Sequence, residues 1–368
     1  IENESKWIWI SKSTYFRFQW ENDAFQVRGN NVTDRFFTNG FRLDFLNNIS
    51  SKLPTKYLLL RFGKYSQNLY GFSIGQEMYT PTNIEIDTIL RNDRPYAGWL
   101  YLASNLISND PYNQQRLTTE FLLGVIGEWS FASELQRTVH RWINSPEPRG
   151  WRNQIANDIG INYFIKYEKR LIRQVHERLD IIQSIEGQAG TVTNFIGLGT
   201  QIRVGLFNDY FRNITGVCEK TIEAEVIRSL SDDKEHLFDE SHLSPEEKHN
   251  LEQWSDPQAF QDSIKQKVYE LVQNKSHKKF QFYFFINPNF RAVLDNSFLQ
   301  GGVFGNQNSP HTISADKIRR FYVNVEYGAV IGFRGFQLSF SQLFRTKEFE
   351  GAENQQWGKI ALIVGFNH

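Results

Sequence analysis

Two stretches of the chain hold the residue types that hydrolytic chemistry would use. Glu21-Asn22-Asp23 ends one alternating run, and Thr33-Asp34-Arg35 with Thr38-Asn39-Gly40 opens the next. A hairpin between the two runs gathers carboxylate, amide and hydroxyl oxygens at one rim. Hard oxygens of this kind suit Ca²⁺ or Mg²⁺ rather than Zn²⁺. The same residues are common turn formers, so an ordinary polar loop satisfies the pattern as well. The second stretch, 128–157, contains Glu134, Gln136, His140, Glu147 and Trp151. Helical spacing from Ser133 to Ile143 puts Gln136 and His140 on one face. A histidine there can serve as general base near neutral pH, or can simply be a surface residue of a loop helix. Other chemistries lack their residues. There is no G-x-S-x-G elbow, no H-E-x-x-H, no Walker loop and no Rossmann glycine pattern. The single Cys218 excludes an internal disulfide framework and a cysteine-rich metal site. Arg91, Arg94, Arg149 and Arg152 lie near these loops, where they either face anionic head groups or are solvated.

The elements that must position these groups read as strands. Phe16, Phe18 and Trp20 alternate with Arg17 and Gln19; Phe41, Leu43 and Phe45 alternate with Arg42 and Asp44. The same period recurs at Ile161–Tyr167, Phe321–Tyr327, Phe336–Phe340 and Ile360–Phe366. The polar faces are heavily charged and the apolar faces are rich in Phe and Tyr, which favours a membrane barrel with lipid outside over a soluble sandwich. The 31 Phe, 15 Tyr and 9 Trp fit such a wall. No run of about 18 apolar residues exists, so no helix spans a bilayer, and lipid tolerates strands only in a closed barrel. Lys+Arg and Asp+Glu balance at 41 each, which gives no electrostatic case for nucleic acid.

The expected fold is an all-β, antiparallel up-and-down transmembrane β-barrel of about 12 strands. The runs are 12–22, 37–49, 66–79, 95–108, 115–127, 158–173, 177–190, 193–207, 278–294, 317–332, 335–348 and 356–367. With both termini periplasmic, outward loops fall at 23–37, 80–95, 128–157, 190–193, 295–316 and 349–355. Inward turns are short, with one exception at 209–277. That segment reads as helical: Ser244-Pro245-Glu246-Glu247 is a capping box, and Phe260, Ile264, Val268 and Leu271 form an apolar stripe. The barrel is therefore expected over 1–208 and 278–368, with 209–277 a charged periplasmic insertion that packs on itself or the barrel, or meets a partner. No signal peptide is visible at Ile1, so the chain reads as a processed form.

Taken together and in order, several segments resemble the outer-membrane lipid A 3′-O-deacylase family. They are Glu21-Asn22-Asp23, Thr33 to Gly40, Met78-Tyr79-Thr80-Pro81, Asp93 to Trp99, Gln136 to His140, Gly150 to Gln154, and Phe349-Glu350-Gly351. The likeness spans most of 12–208 and 278–368. It implies a twelve-stranded barrel in the Gram-negative outer membrane, acting on lipid A or lipopolysaccharide of the outer leaflet. It also implies Ca²⁺ as cofactor and a histidine that activates water. Carried over residue by residue, His140 is the base, Asp23 the leading metal ligand, and Asn22 and Thr38 shape the metal site or the scissile carbonyl. Gln136 orients His140 or the water. Two positions depart from the family. Thr82-Asn83-Ile84-Glu85 stands where a lysine is expected to meet substrate, and Pro146 replaces a glutamate that neighbouring Glu147 is the candidate to supply. Two other functions fit the same barrel: an outer-membrane phospholipase or esterase of other specificity, and a non-catalytic porin or adhesin. A barrel of this size has a narrow lumen, which disfavours a wide pore.

Overall fold

The computed structural model describes residues 9–10, 14–27, 34–47, 49–63, 66–110, 113–171, 178–211, 278–305 and 308–366. Strand β1 (Trp9–Ile10) is a two-residue parallel bridge to Gln67 and Asn68. Twelve longer strands build the wall: β2 (Thr14–Asn22), β3 (Phe36–Leu46), β4 (Gln67–Thr80), β5 (Ala97–Asp110), β6 (Gln115–Ile126) and β7 (Asp158–Lys169), then β8 (Leu179–Gly190), β9 (Thr193–Leu206), β10 (Phe280–Asn296), β11 (Phe321–Phe333), β12 (Phe336–Arg345) and β13 (Gln355–Phe366). Each pairs antiparallel with its sequence neighbours, and β13 returns to β2, so the barrel closes without a free edge.

The period-two pattern decides which face meets lipid. Phe16 is 50 % exposed on the outside, whereas Asp44 is 2 % exposed inside. The charged inner face is neutralised by ion pairs within and between strands. Arg17 and Arg42 hold Asp44 at 2.6 and 2.8 Å, and Arg42 also reaches Glu120 at 2.9 Å. Lys166–Glu168 and Arg291–Glu186, each at 2.8 Å, continue the network. Arg42, Glu120, Lys166, Glu168, Glu186 and Arg291 line a polar cavity of about 480 Å³. Aromatic rings narrow its upper end: Phe37 packs on Tyr79 and Trp357, and Phe298 of the short helix α2 (Ser297–Gln300) stacks on Tyr79. Ion-pair tiers and rings together leave no wide pore among the described residues.

Two expectations change. The connection between β4 and its predecessor β3 is not a short turn. Residues 49–63 fold back along the outside of the wall, because β5 and β6 present polar outward residues there for them to bond. The start of the 209–277 insertion also belongs to the barrel: the Tyr210 hydroxyl donates to Glu168 at 2.9 Å, Arg116 stacks over the Tyr210 ring, and Phe211 is wholly buried. The rest of that expected helical insertion, 212–277, lies outside the described residues.

Candidate functional site

Helix α1 (Ala132–Ile143) lies against the outside of the barrel at the end where the longer loops emerge. Its buried residues Ala132, Ser133, Gln136 and His140 form a single face, as a period of 3.6 requires. The wall is shaped to receive it. A Cβ on Gly98 would stand 2.5 Å from the Ala132 Cβ, so only glycine lets the helix approach. The Gln76 side-chain amide donates to the Ser130 carbonyl at 2.6 Å. Met78, Ile84, Tyr96, Trp151 and Ala132 fill the space beneath the helix.

A β-bulge supplies the hydroxyls. Pairing between β3 and β4 steps from Phe37↔Tyr79 to Asn39↔Met78, which leaves Thr38 as the extra residue. Phe37 and Gly40 both line the lumen, so Thr38 and Asn39 both stand on the outer face. Thr38 Oγ1 lies 2.7 Å from Thr80 Oγ1, and the Thr80 hydroxyl donates to the Asp34 carbonyl at 2.7 Å. Thr38 and Thr80 are 2 % and 0 % exposed although they face outward, because α1 and the loops cover them.

Asp23 opens a 3-10 turn directly after β2. Asn22 caps that turn, accepting the Ala24 amide at 2.8 Å, while its amide group donates to Asn39 at 3.0 Å. Asp23 Oδ2 accepts the Arg35 amide at 3.1 Å. Burial, and then the nearby charge of Asp34, raise the Asp23 carboxyl to about 8. Asp34 itself adopts φ 59° and Phe36 φ 64°, a left-handed geometry that costs of order 1–3 kcal/mol for such residues. Packing of Phe36 with Leu299, Ile313, Ile318 and Phe349 holds the loop in it.

The two catalytic candidates on α1 converge on Asp34. Gln136 Nε2 donates to Asp34 Oδ1 at 3.1 Å, and His140 Nε2 lies 3.2 Å from the same oxygen. Trp151 Nε1 donates to Gln136 Oε1 at 2.7 Å; an indole only donates, so this bond fixes the Gln136 amide with its NH₂ toward Asp34. His140 Nδ1 lies 2.6 Å from the Pro146 carbonyl. The Pro146 carbonyl can only accept, so Nδ1 carries a proton, and Asp34 stabilises a second proton on Nε2 when the ring takes one up. Its pKa is accordingly raised, by the Asp34 bond first and the Pro146 carbonyl and nearby Asp23 in addition, against the lowering by burial.

The fold thus brings Asp23, Thr38, Gln136 and His140 to one covered patch on the outer wall, with Asn22 as the cap that aims Asp23. Asp34, Thr80 and Trp151 join them. All three sit inside the quoted motifs, yet only the folded geometry gives them partners. Glu147 is exposed, and Pro146, which stands where the family has a glutamate, meets His140 Nδ1 through its backbone carbonyl. Residues 82–85 form a capped turn, with the Thr82 hydroxyl on Asp93 at 2.6 Å and Ile84 buried under Trp151, and offer no cation. Arg94 turns inward to Glu348 at 3.4 Å and stacks on Tyr79, away from any head group. Arg91 and Arg149 are exposed, and Arg152 pairs with Asp87 at 2.8 Å.

A cation would have to be held chiefly by Asp23 and Asp34. Among the described residues no group of three or more His, Cys, Asp or Glu side chains is placed to hold a metal. Two carboxylates with hydroxyl and carbonyl oxygens nevertheless match a hard cation, whose remaining ligands are commonly backbone carbonyls and water. Burial and the neighbouring Asp34 raise the Asp23 carboxyl, so a cation placed beside the two carboxylates would be electrostatically favourable.

The chain matches the family described as outer membrane protein LpxR over residues 4–366. Among solved structures, LpxR from Salmonella typhimurium matches with a TM-score of 0.65 at 16 % identity, covering 95 % of this chain and 99 % of that one; it shares the barrel fold. The β domain of the Bordetella autotransporter BrkA matches with a TM-score of 0.41 at 7 % identity, covering 96 % and 99 %. No curated protein matches the chain.

Proposed function

The chain belongs to the outer membrane protein LpxR family, and from that premise we propose that it is an ester hydrolase that removes the 3′-linked acyl chains of lipid A, with Ca²⁺ held at Asp23 and Asp34. The observation that carries this reading is the placement of the Asp23–Asp34–His140 array. It lies outside the barrel wall, under α1, on the side from which an outer-leaflet lipid approaches. A porin would use the lumen, which ion pairs cross.

His140 is the base. Its Nδ1–H is committed to the Pro146 carbonyl, so proton exchange falls to Nε2. Asp34 then stabilises the imidazolium formed when Nε2 takes the proton of an attacking water. Gln136, locked by Trp151, keeps Asp34 aligned. Thr38 and Thr80, buried beneath α1, brace the Asp34 backbone through their hydroxyls. Bound Ca²⁺ would supply positive charge for the developing oxyanion, in place of a backbone oxyanion hole.

The test is mass spectrometry of lipid A from cells making each variant. His140→Ala and Asp23→Ala should each abolish acyl release while the barrel still folds. Deacylation by His140→Ala at the wild-type rate refutes the mechanism. Release of acyl chains from glycerophospholipid with lipid A left intact would instead favour a phospholipase.

A further inference from the structure

The segment 49–63, a strap laid on the outside of the wall, takes no part in the chemistry above. It sits at the end of the barrel opposite α1. Four contacts pin it down. The Ser104 hydroxyl donates to Thr55 at 2.9 Å, and the Phe62 amide donates to Ser108 Oγ at 3.1 Å. The Thr119 hydroxyl donates to the Leu60 carbonyl at 3.1 Å, and the Leu60 amide donates to the Tyr163 hydroxyl at 3.3 Å. Leu59 inserts among Tyr70, Leu106 and Phe121. Ser104, Ser108 and Thr119 face outward at positions where a bare wall would be apolar. Their hydroxyls are satisfied because the strap covers them, which lipid could not do.

The uncovered side of the strap has two kinds of residue. Tyr57 is 82 % exposed, with Leu58 and Leu60 exposed beside it. Lys52 and Lys56 precede them and Arg61 follows, and the sequence from Ile49 to Gly63 contains no Asp or Glu. Among the described residues none of the three cations forms an ion pair, and Lys56 lies over the Tyr57 ring at 5.0 Å. Lys169, at the same end of β7, adds a fourth positive charge. Apolar and aromatic side chains interleaved with unopposed cations are the composition of a segment lying in a membrane interface. Long cationic stems reach head groups while their neighbours enter the acyl region.

We propose that residues 49–63 form a binding site for anionic glycerophospholipid in the leaflet opposite the active site. Lys52, Lys56 and Arg61 take the phosphates, and Tyr57, Leu58 and Leu60 enter among the acyl chains. Charge complementarity and the position on the lipid side of the wall select this occupant. The site is independent of hydrolysis, so its test does not depend on the reading of α1.

The experiment is native mass spectrometry of the purified full chain, released from bilayers of equal phosphatidylglycerol and phosphatidylcholine. Each basic residue near an anionic surface contributes enough that wild type should retain phosphatidylglycerol over phosphatidylcholine by about tenfold or more. Lys52→Gln/Lys56→Gln/Arg61→Gln should bring that ratio close to one. Tyr57→Ser/Leu58→Ser should lower retention of both lipids. Arg61→Gln alone gives a partial loss and guards against misfolding of the triple variant, with barrel integrity checked by heat-dependent gel mobility. Equal retention of the two lipids by wild type, or an undiminished preference in the triple variant, overturns the proposal. So does a defined dimer that forms through this face without lipid.

Discussion

Replacing Asp34 by Asn tests the centre of the site without changing its size. One oxygen, Asp34 Oδ1, receives both Gln136 at 3.1 Å and His140 at 3.2 Å. A hydrogen bond to a charged group contributes about 1.5–3 kcal/mol, and one pKa unit corresponds to about 1.4 kcal/mol. Loss of the carboxylate should therefore lower the His140 pKa, since the Asp34 hydrogen bond is the largest cause of its elevation. The chain has eight histidines, few enough to assign by ¹⁵N-histidine NMR in detergent, using His140→Ala to identify the signal. Titrations of wild type and Asp34→Asn without Ca²⁺ should differ at His140 and hardly elsewhere. On the proposed mechanism deacylation should fall in the same variant, because the proposed cation site would lose one of its two carboxylates. If His140 titrates identically in both proteins, the assignment of Asp34 as its partner is wrong.

Asp23 gives the protein a pH dependence of definite sign. Its carboxyl is raised from 3.8 to about 8, so between those values the folded state holds a proton that the unfolded chain has lost. Stability of the Ca²⁺-free protein should therefore fall as pH rises through that window, and added Ca²⁺ should restore it at pH 8 far more than at pH 5. Urea unfolding midpoints in detergent at the two pH values measure this, and equal Ca²⁺ effects at both would contradict it. Gly98→Leu should push α1 off the wall, because the added carbons meet Ala132 and Ser130; activity should vanish while heat-dependent mobility still reports a closed barrel. Arg42→Met leaves Glu120 without its bidentate partner and Asp44 with only Arg17, and should destabilise the barrel by about 3 kcal/mol, read as a lower urea midpoint. An unchanged midpoint would mean that the lumen is wet enough to screen the pair.

The strands were legible because a barrel wall is read one residue at a time. Phe16, Phe18 and Trp20 against Arg17 and Gln19 state both the period and the chemistry of the two sides, and all twelve runs reappear as strands with ends moved by a few residues. The exceptions share one cause. Gln76, Thr80, Ser104 and Thr119 face outward yet are polar, and no local pattern says that a helix or a strap will cover them. The β4 approach at 49–63 therefore read as a turn. Thr38 is on the outer face only because a bulge inserts a residue, and a one-residue step in register cannot be seen without the partner strand.

The sequence by itself determined the wall and the kinds of groups available at its rim. Alternation selects an inside and an outside, and ordered short motifs mark Asn22, Asp23, Thr38, Gln136 and His140. Tertiary structure decided which of these meet. Asp34 becomes the hub only when loop 34–36 is held in a left-handed turn and α1 is laid across Gly98, with His140 and Asp34 separated by about a hundred residues of chain. The physical reason is range. Side-chain periodicity is a local property set by the backbone, whereas the hydrogen bonds from His140 to the Pro146 carbonyl and to Asp34, and the burial of Asp23 beside them, depend on contacts between distant loops. Closing the barrel fixes those contacts.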